Sequence, residues 1–288
     1  LFIDLMLGLP GATPTSFRAD LQGCIDREVT GKIYPTELLV NSPMNEPGYK
    51  SENKIEIDAP PEELVKSVIG ADGAPRRALL IATASYTRED YGEMLDLRHA
   101  HLVMENLGLM RHVARFVRQE VGLAEVDFYD RVQRDARADP DRWPLLAYAV
   151  RAIPFIGAPP GSWKWFIDEV ANYLTEELGL VADSALETVL TVQHSLLPSR
   201  ERVFPQHFEL AHDYAAWYSA LTDLKDEGQR NWAELVPRLS EFGPAVFTVD
   251  DTHEVCTKAL GCRIDENAHA AWELDSDVGR AVSHEHLT

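Results

Sequence analysis

The feature that most restricts the fold stands at the start of the chain. Leu1 to Leu7 is an apolar run broken only by Asp4, the pattern of a strand buried in a parallel sheet. Gly8-Leu9-Pro10-Gly11 turns the chain, and Thr13 is placed to cap a helix with Pro14 at its first position. Phe17, Leu21, Cys24 and Ile25 follow at helical spacing, and a second extended run, Lys32 to Val40, leads into Asn41-Ser42-Pro43. Strand, turn, helix and strand within about 40 residues make a βαβ unit, with parallel strands and a right-handed crossover. Parallel strands need both faces covered and neighbours beside them. Either these two runs join strands outside this chain, or they pair with Ala78 to Ala84 and Ala245 to Val249; the first is the expectation here. The chain opens directly on a strand pattern, without a methionine, so a truncated N-terminus is also expected.

Beyond the βαβ unit the periodicity is mainly helical. Asn41 to Pro61 is rich in Pro, Asn, Gly and Glu and reads as irregular, and Pro61 to Val68 reads as a short helix. Thr87 with Asp90 resembles a capping box that opens a long helix. Gly108 bends or ends that helix, which resumes to about Val121. Ser162 to Leu178 is amphipathic, with Trp163, Phe166, Ile167, Val170, Tyr173 and Leu174 on its apolar side and Gly179 as C-cap. Ser184 with Glu187 resembles another capping box, and Pro205 to Leu224 carries a further helical pattern. Ala245 to Val249 reads as a short strand before an acidic tail. The expected division is a barrel-like part over 1–58, a linker with a short extended segment over 59–86, a helical domain over 87–244, and a short strand with an acidic tail over 245–288.

Charge limits the partners. Lys and Arg total 27 against 47 Asp and Glu, a formal net charge of −20, which repels phosphate backbones and anionic lipid surfaces. The densest basic run, Arg111 to Arg118, lies inside a helical pattern. Neither nucleic acid nor membrane is an expected partner, since no apolar stretch reaches the roughly 18–20 residues of a spanning helix. Three cysteines, Cys24, Cys256 and Cys262, make no disulfide framework, so a cytoplasmic location is expected.

The strand–GLPG–helix junction is where chemistry is most legible. Glycines at a strand end let a ligand approach the backbone, and the helix start offers free N–H groups. The residues alone allow a cofactor edge at the top of a sheet or barrel, or a tight turn without a ligand. No Gly-Lys-Ser/Thr follows, so it is not a phosphate-binding P-loop, and the G-x-G-x-x-G spacing of a dinucleotide fingerprint is absent.

Asp4-Leu-Met-Leu-Gly-Leu-Pro-Gly-Ala-Thr-Pro-Thr-Ser-Phe17 resembles the fifth strand and following helix of radical S-adenosylmethionine (radical SAM) enzymes. Ala12 stands where that family often carries an acidic residue. Leu38-Leu39-Val40-Asn41-Ser42-Pro43-Met44 resembles the sixth strand. With Pro47, Tyr49 and Ala82-Thr83-Ala84-Ser85-Tyr86-Thr87, it is similar to the cobalamin-binding branch. The resemblance covers about the first 110 residues; the helical remainder is similar to that branch's C-terminal extensions with less specific motifs. It implies an α/β to α fold class: the C-terminal βαβ part of a partial (β/α) barrel, then a mainly α-helical C-terminal domain. It also implies an S-adenosylmethionine edge formed by Met6 and Gly8 on the fifth strand and Leu39 and Asn41 at the end of the sixth, several acting through backbone groups. Tyr86, between a short extended segment and a helix start, is either a substrate-facing residue or a helix-entry staple.

The departures from the family bear on activity. The C-x3-C-x2-C motif that holds three irons of a [4Fe–4S] cluster is absent from this sequence, and the sequence opens on the strands without a cobalamin domain ahead of them. Both cofactors, with the C-x3-C-x2-C motif, are expected from a missing N-terminal portion of the same protein. The expected function is that of the C-terminal segment of a cobalamin-dependent radical SAM enzyme, a methyltransferase or another radical-mediated modifying enzyme, catalytically incomplete as this chain. Its helical part would cover a small-molecule or peptide substrate and exclude water. The alternative is a non-catalytic helical interaction module.

Other candidates carry less. His99 and His101 point to different helix faces, and His207 and His212 miss the i, i+4 spacing of a helical metal pair. His207 is expected exposed and His212 satisfied at an interface. His284 and His286 fall near the terminus. Trp165 leaves the main apolar face, and Asp168 with Glu169 reads as a solvated face. Ser195 lies beside His194 without a G-x-S-x-G elbow, so no nucleophile–base pair is legible, and no metal site is expected.

Overall fold

A computed structural model describes residues 2–39, 41–58, 78–151, 163–197 and 205–249. The expected helix over Pro61 to Val68, the acidic tail, Cys256, Cys262, His284 and His286 lie outside the described residues. The protein is a mixed α/β chain, mostly helical, with small sheets. It forms two compact units, one of Leu1–Ile25 with Val29–Arg98, the other of Asp26–Glu28 with His99–Thr288.

In the first unit the βαβ pattern is realised. Strand β1 (Phe2–Leu7), helix α1 (Pro14–Ile25) and strand β2 (Thr30–Pro35) follow in order. The strands are parallel and in register from Phe2↔Thr30 to Leu7↔Pro35. Helix α1 starts where expected because Thr13 and Ser16 satisfy each other. The Ser16 N–H donates to Thr13 Oγ1 at 3.1 Å, and the Thr13 N–H donates to Ser16 Oγ at 2.9 Å. Leu7, Phe17, Leu21, Ile25 and Ile33 are buried. Met6 and Tyr34, register partners, are 44% and 49% exposed, so apolar side chains from both strands stand side by side in solvent.

The second extended run is shorter than its pattern. Pro35 has no N–H to donate, and the next residue takes over, Thr36 N–H donating to the Leu7 carbonyl at 2.8 Å. The chain then pairs antiparallel with residues after 77. Leu38 N–H donates to the Ala78 carbonyl, Leu80 N–H to the Thr36 carbonyl, and Glu37 bridges Leu79. Strand β4 (Leu80–Ala82) pairs with β3 (Glu56–Ile57). Ala78 to Ala84 therefore joins the continuation of β2, not β1, and leaves β1–β2 a two-stranded sheet. The short helix α2 (Pro47–Glu52) lies between. Met44, Ile55 and Ile57 pack against buried Leu38, Ala78 and Leu80. Helix α3 (Arg88–His101) opens on the expected capping box, with Thr87 N–H donating to Asp90 Oδ2 at 2.7 Å and Asp90 N–H to Thr87 Oγ1 at 3.1 Å.

The second unit is helical around a large aromatic core. A π-helical segment, Leu102–Asn106, precedes the turn at Gly108, and helix α4 (Arg111–Val121) resumes as expected. Helices α5 (Glu125–Ala138), α6 (Pro144–Arg151) and α7 (Trp163–Glu176) follow. Gly179 takes the left-handed conformation (φ 68°) after α7, which suits glycine as a helix terminator. Trp217, Trp232, Tyr129, Tyr173, Tyr214, Phe128 and Phe166 are almost fully buried.

Two expectations are corrected here. Helix α8 (Ser184–Leu196) is capped by Asp183, whose Oδ1 accepts from the Ala185 and Leu186 N–H groups at 3.0 Å, not by a Ser184–Glu187 box. A carboxylate one residue earlier reaches both donors, so Ser184 becomes the first helical residue. The stretch 205–224 is not one helix but strand β5 (Gln206–Leu210) followed by helix α9 (Tyr214–Asp226). Strand β5 pairs antiparallel with β6 (Ala245–Val249), setting Phe208 opposite Phe247. The Ala245 to Val249 strand has the expected bounds but belongs with the helical unit. Helix α10 (Trp232–Leu235) completes the described elements with a 3-10 turn at Leu239–Glu241. Among the described residues no helix is long and apolar enough to cross a membrane.

Candidate functional site

The GLPG turn is held by the segment ahead of α3. Tyr86 is 2% exposed, and its hydroxyl donates to the Gly8 carbonyl at 2.7 Å. Gly11 N–H donates to Ser85 Oγ at 2.9 Å. Thr83 closes the holding turn, since Ser85 N–H donates to Thr83 Oγ1 and Thr83 N–H to the Tyr86 carbonyl. Both ends of the loop are thus fixed from one short segment. Gly8 has φ +89°, and a Cβ there would lie 2.9 Å from the Tyr86 hydroxyl and 3.4 Å from the Leu80 carbonyl. Only glycine fits, and the group that comes so close is a side chain of this protein. Burial pushes the Tyr86 phenol well above its ordinary range, with Tyr91 adding to the effect. The hydroxyl therefore stays a neutral donor.

The residues singled out from sequence fall into three places. Gly8 and Tyr86 are in contact and buried, so the Tyr86 hydroxyl is engaged with the backbone. Met6 lies on the exposed face beside Tyr34. Leu39 is 57% exposed, and Asn41 is exposed in the turn closed by Ser42 N–H on the Leu39 carbonyl. Among the described residues no group of three His, Cys, Asp or Glu side chains could hold a metal. Cys24 is buried on α1.

His207 is exposed and meets Thr248, while His212 is half-buried between Ser184 and the Phe242 carbonyl. Trp165 is 57% exposed. Asp168 pairs with Lys164 at the surface, but Glu169 is not a solvated partner. Its carboxylate accepts from the Leu145 and Leu146 N–H groups at the start of α6, where an acceptor satisfies orphan helix donors.

Sequence reasoning missed an ionic centre buried in the second unit. Glu105, in the π-helical segment, receives Arg115 through both guanidinium nitrogens at 2.7 and 3.0 Å and the Tyr129 hydroxyl at 2.5 Å. Arg111 donates to the Glu105 carbonyl at 3.0 and 2.6 Å. Glu28 meets Arg115 at 3.4 Å and Lys225 at 2.5 Å. Glu125 and Asp26 meet Arg118 at 2.9 and 2.6 Å. Arg111, Arg115, Arg118 and Lys225 thus face Asp26, Glu28, Glu105 and Glu125. The basic run is an internal scaffold, not a surface patch. The widened π turn sets Glu105 where the guanidinium fork reaches it, the kind of local irregularity that recurs at special sites.

This centre makes the protein acid-sensitive in two stages. Burial lowers His101 from 6.5 to about 4, with Glu105 opposing and Arg115 and Arg111 adding to the drop. Its ring nitrogens have no hydrogen-bond partner among the described residues. Between pH 6.5 and 4 the unfolded chain binds a proton there that the folded chain does not, so stability falls on acidification. Burial alone would raise Glu28, but Lys225 and Arg115 outweigh it and hold the carboxyl at about 2 rather than 4.5. Its stabilisation is complete above pH 4.5 and is lost as pH falls towards 2. Urea melts at a series of pH values should show this decline, and His101→Phe should flatten it between pH 6.5 and 4. An unchanged slope in that variant would refute the assignment.

No protein-family profile matches the chain, and no curated protein matches its sequence.

Proposed function

We propose that the first unit forms part of the S-adenosylmethionine wall of a cobalamin-dependent radical SAM enzyme, with a substrate-covering role for the helical unit. The observation that carries this reading is the parallel β1–α1–β2 unit, whose GLPG turn follows a strand with an open apolar face at Met6 and Tyr34. That face suits an adenine ring, which gains by covering apolar and aromatic surface. S-adenosylmethionine supplies a carbon radical or a methyl group when bound beside a reduced cluster. In this reading Met6 covers the adenosine, and the Leu39–Asn41 turn, which follows the antiparallel pairing beyond the end of β2 at Pro35, offers polar groups. Gly8 shapes the turn, and Tyr86 and Ser85 hold it in place. Tyr86 then acts as a positioning residue rather than by touching substrate. In this reading the cluster and the corrinoid would be held by groups other than the described residues.

The test uses the polypeptide encoded by the native gene, purified without oxygen and reconstituted with iron and sulfide. The expected result is reductive formation of 5′-deoxyadenosine from S-adenosylmethionine, together with corrinoid absorbance. Met6→Asp, at an exposed position, should raise KM for S-adenosylmethionine about tenfold, equivalent to about 1.4 kcal/mol. No 5′-deoxyadenosine and no corrinoid would overturn the reading and leave a helical interaction module in its place.

A further inference from the structure

The second unit contains a serine–histidine pair that the first unit's reading does not use. Ser184, exposed at the first position of α8, has its Oγ 2.9 Å from His212 Nε2. His212 Nδ1 lies 2.9 Å from the Phe242 carbonyl oxygen. A carbonyl only accepts, so in the neutral ring Nδ1 carries the hydrogen and Nε2 presents its lone pair to the Ser184 hydroxyl. This is the order of parts in nucleophilic hydrolases: nucleophile, base, and an acceptor that fixes the tautomer of the base. Here a backbone carbonyl stands where such sites often carry a carboxylate.

The surroundings supply the remaining parts. The Asp183 cap takes the Ala185 and Leu186 N–H groups, and the Ser184 N–H stands at the positive end of the helix with no partner among the described hydrogen bonds. An N–H of the nucleophile's own residue is a proven donor to a developing oxyanion. Ser184 also lines an open groove of about 790 Å³ between α7 and α8, with Ile167, Ala171, Leu186 and Leu190 as its apolar part. That volume lies in the range of small-molecule sites. Asp168, Asp183 and Glu187 line the same groove and disfavour anionic substrates.

We propose that Ser184 and His212 form an acyl-transfer centre for uncharged short-chain carboxylic esters. His212 Nε2 takes the Ser184 proton as Oγ bonds to the ester carbonyl carbon. The bond to the alkoxy oxygen then breaks, and His212 returns the proton to the departing alcohol. Water attacks the acyl-serine, its proton goes to Nε2, the bond to Oγ breaks, and Ser184 recovers its proton as the acid leaves. No oxidant, reductant or metal is needed.

The test uses the full chain and p-nitrophenyl butyrate. Hydrolysis with an initial burst is expected, and mass spectrometry should find the butyryl adduct on the peptide containing Ser184. Ser184→Ala should abolish both adduct and burst. His212→Gln should lower kcat at least a hundredfold with KM little changed, the mark of a general base. Both variants must keep the wild-type far-ultraviolet dichroism. Equal hydrolysis by wild type and Ser184→Ala, or an adduct mapped to another residue, would overturn the proposal and leave the Ser184–His212 bond as a structural tie. The result is independent of whether the first unit binds S-adenosylmethionine.

Discussion

Arg115→Met is expected to cost the second unit about 3–5 kcal/mol of stability, the range for removing one partner of a buried ion pair. Arg115 is fully buried and reaches Glu105, Glu28 and Glu125 together. Its removal takes the two-pronged partner from Glu105 and leaves Glu28 to Lys225 and Glu125 to Arg118, so buried negative charge is under-compensated. Arg115→Lys should recover little, because an ammonium cannot reproduce the two-pronged contact with Glu105. A further variant separates charge from packing. Adding Glu105→Gln to Arg115→Met removes the stranded charge, so the double variant should be more stable than the sum of the single changes predicts. Urea unfolding followed by tryptophan fluorescence reports on this directly, since Trp217 and Trp232 are buried in the same unit. A loss below about 1 kcal/mol for Arg115→Met would mean that the centre is solvated and contributes little.

Gly8→Ala is the second large effect, about 2–4 kcal/mol. The first part is the backbone, because φ +89° is strained for any residue with a Cβ and costs on the order of 1–3 kcal/mol. The second part is contact. The new methyl would stand 2.9 Å from the Tyr86 hydroxyl and must displace it, which breaks the bond to the Gly8 carbonyl at about 1 kcal/mol. Tyr86→Phe removes that hydroxyl and its hydrogen bond beforehand. In that background Gly8→Ala should cost less than in the wild type, leaving mainly the backbone part. Thermal melts of the two single variants and the double variant test this coupling. Strict additivity would show that Tyr86 does not hold the turn.

How much could be read in advance depended on the range of the interaction. The starts of α1 and α3 were legible because Thr13 with Ser16, and Thr87 with Asp90, satisfy their donors within three residues. The misread stretch at 205–224 fails for a related reason. Phe208, Leu210, Ala211 and Tyr214 fit a helical repeat, yet the first two also alternate as in a strand, and pairing with Ala245–Val249 decides between them. The Ser184 signal was real but one residue out, because Asp183 reaches the same donors.

The candidate sites were less legible than the fold. The strand–GLPG–helix junction was visible as a turn, but nothing nearby in sequence indicated that Tyr86, 78 residues away, would occupy the approach to Gly8. In sequence His212 reads as a satisfied interface residue, but its partners are not legible. Ser184 lies 28 residues before it and the Phe242 carbonyl 30 after it. The basic run Arg111 to Arg118 is visible in sequence, but its pairing with Glu105 and Glu28 is not, because those carboxylates lie outside the helix.

Local residue choice suffices for the βαβ order at the start of the chain, the starts of α1 and α3 and the glycine stop after α7. Those features are settled by hydrogen bonds and torsions within a few residues, which any fold containing them must satisfy. Tertiary structure alone decided which charges are buried together, which histidine faces a serine, and which apolar face of the first sheet stays open. Lys225 and Glu28 are 197 residues apart. Desolvation makes such a pair either costly or stabilising according to whether the partner arrives, and only the folded chain brings it there.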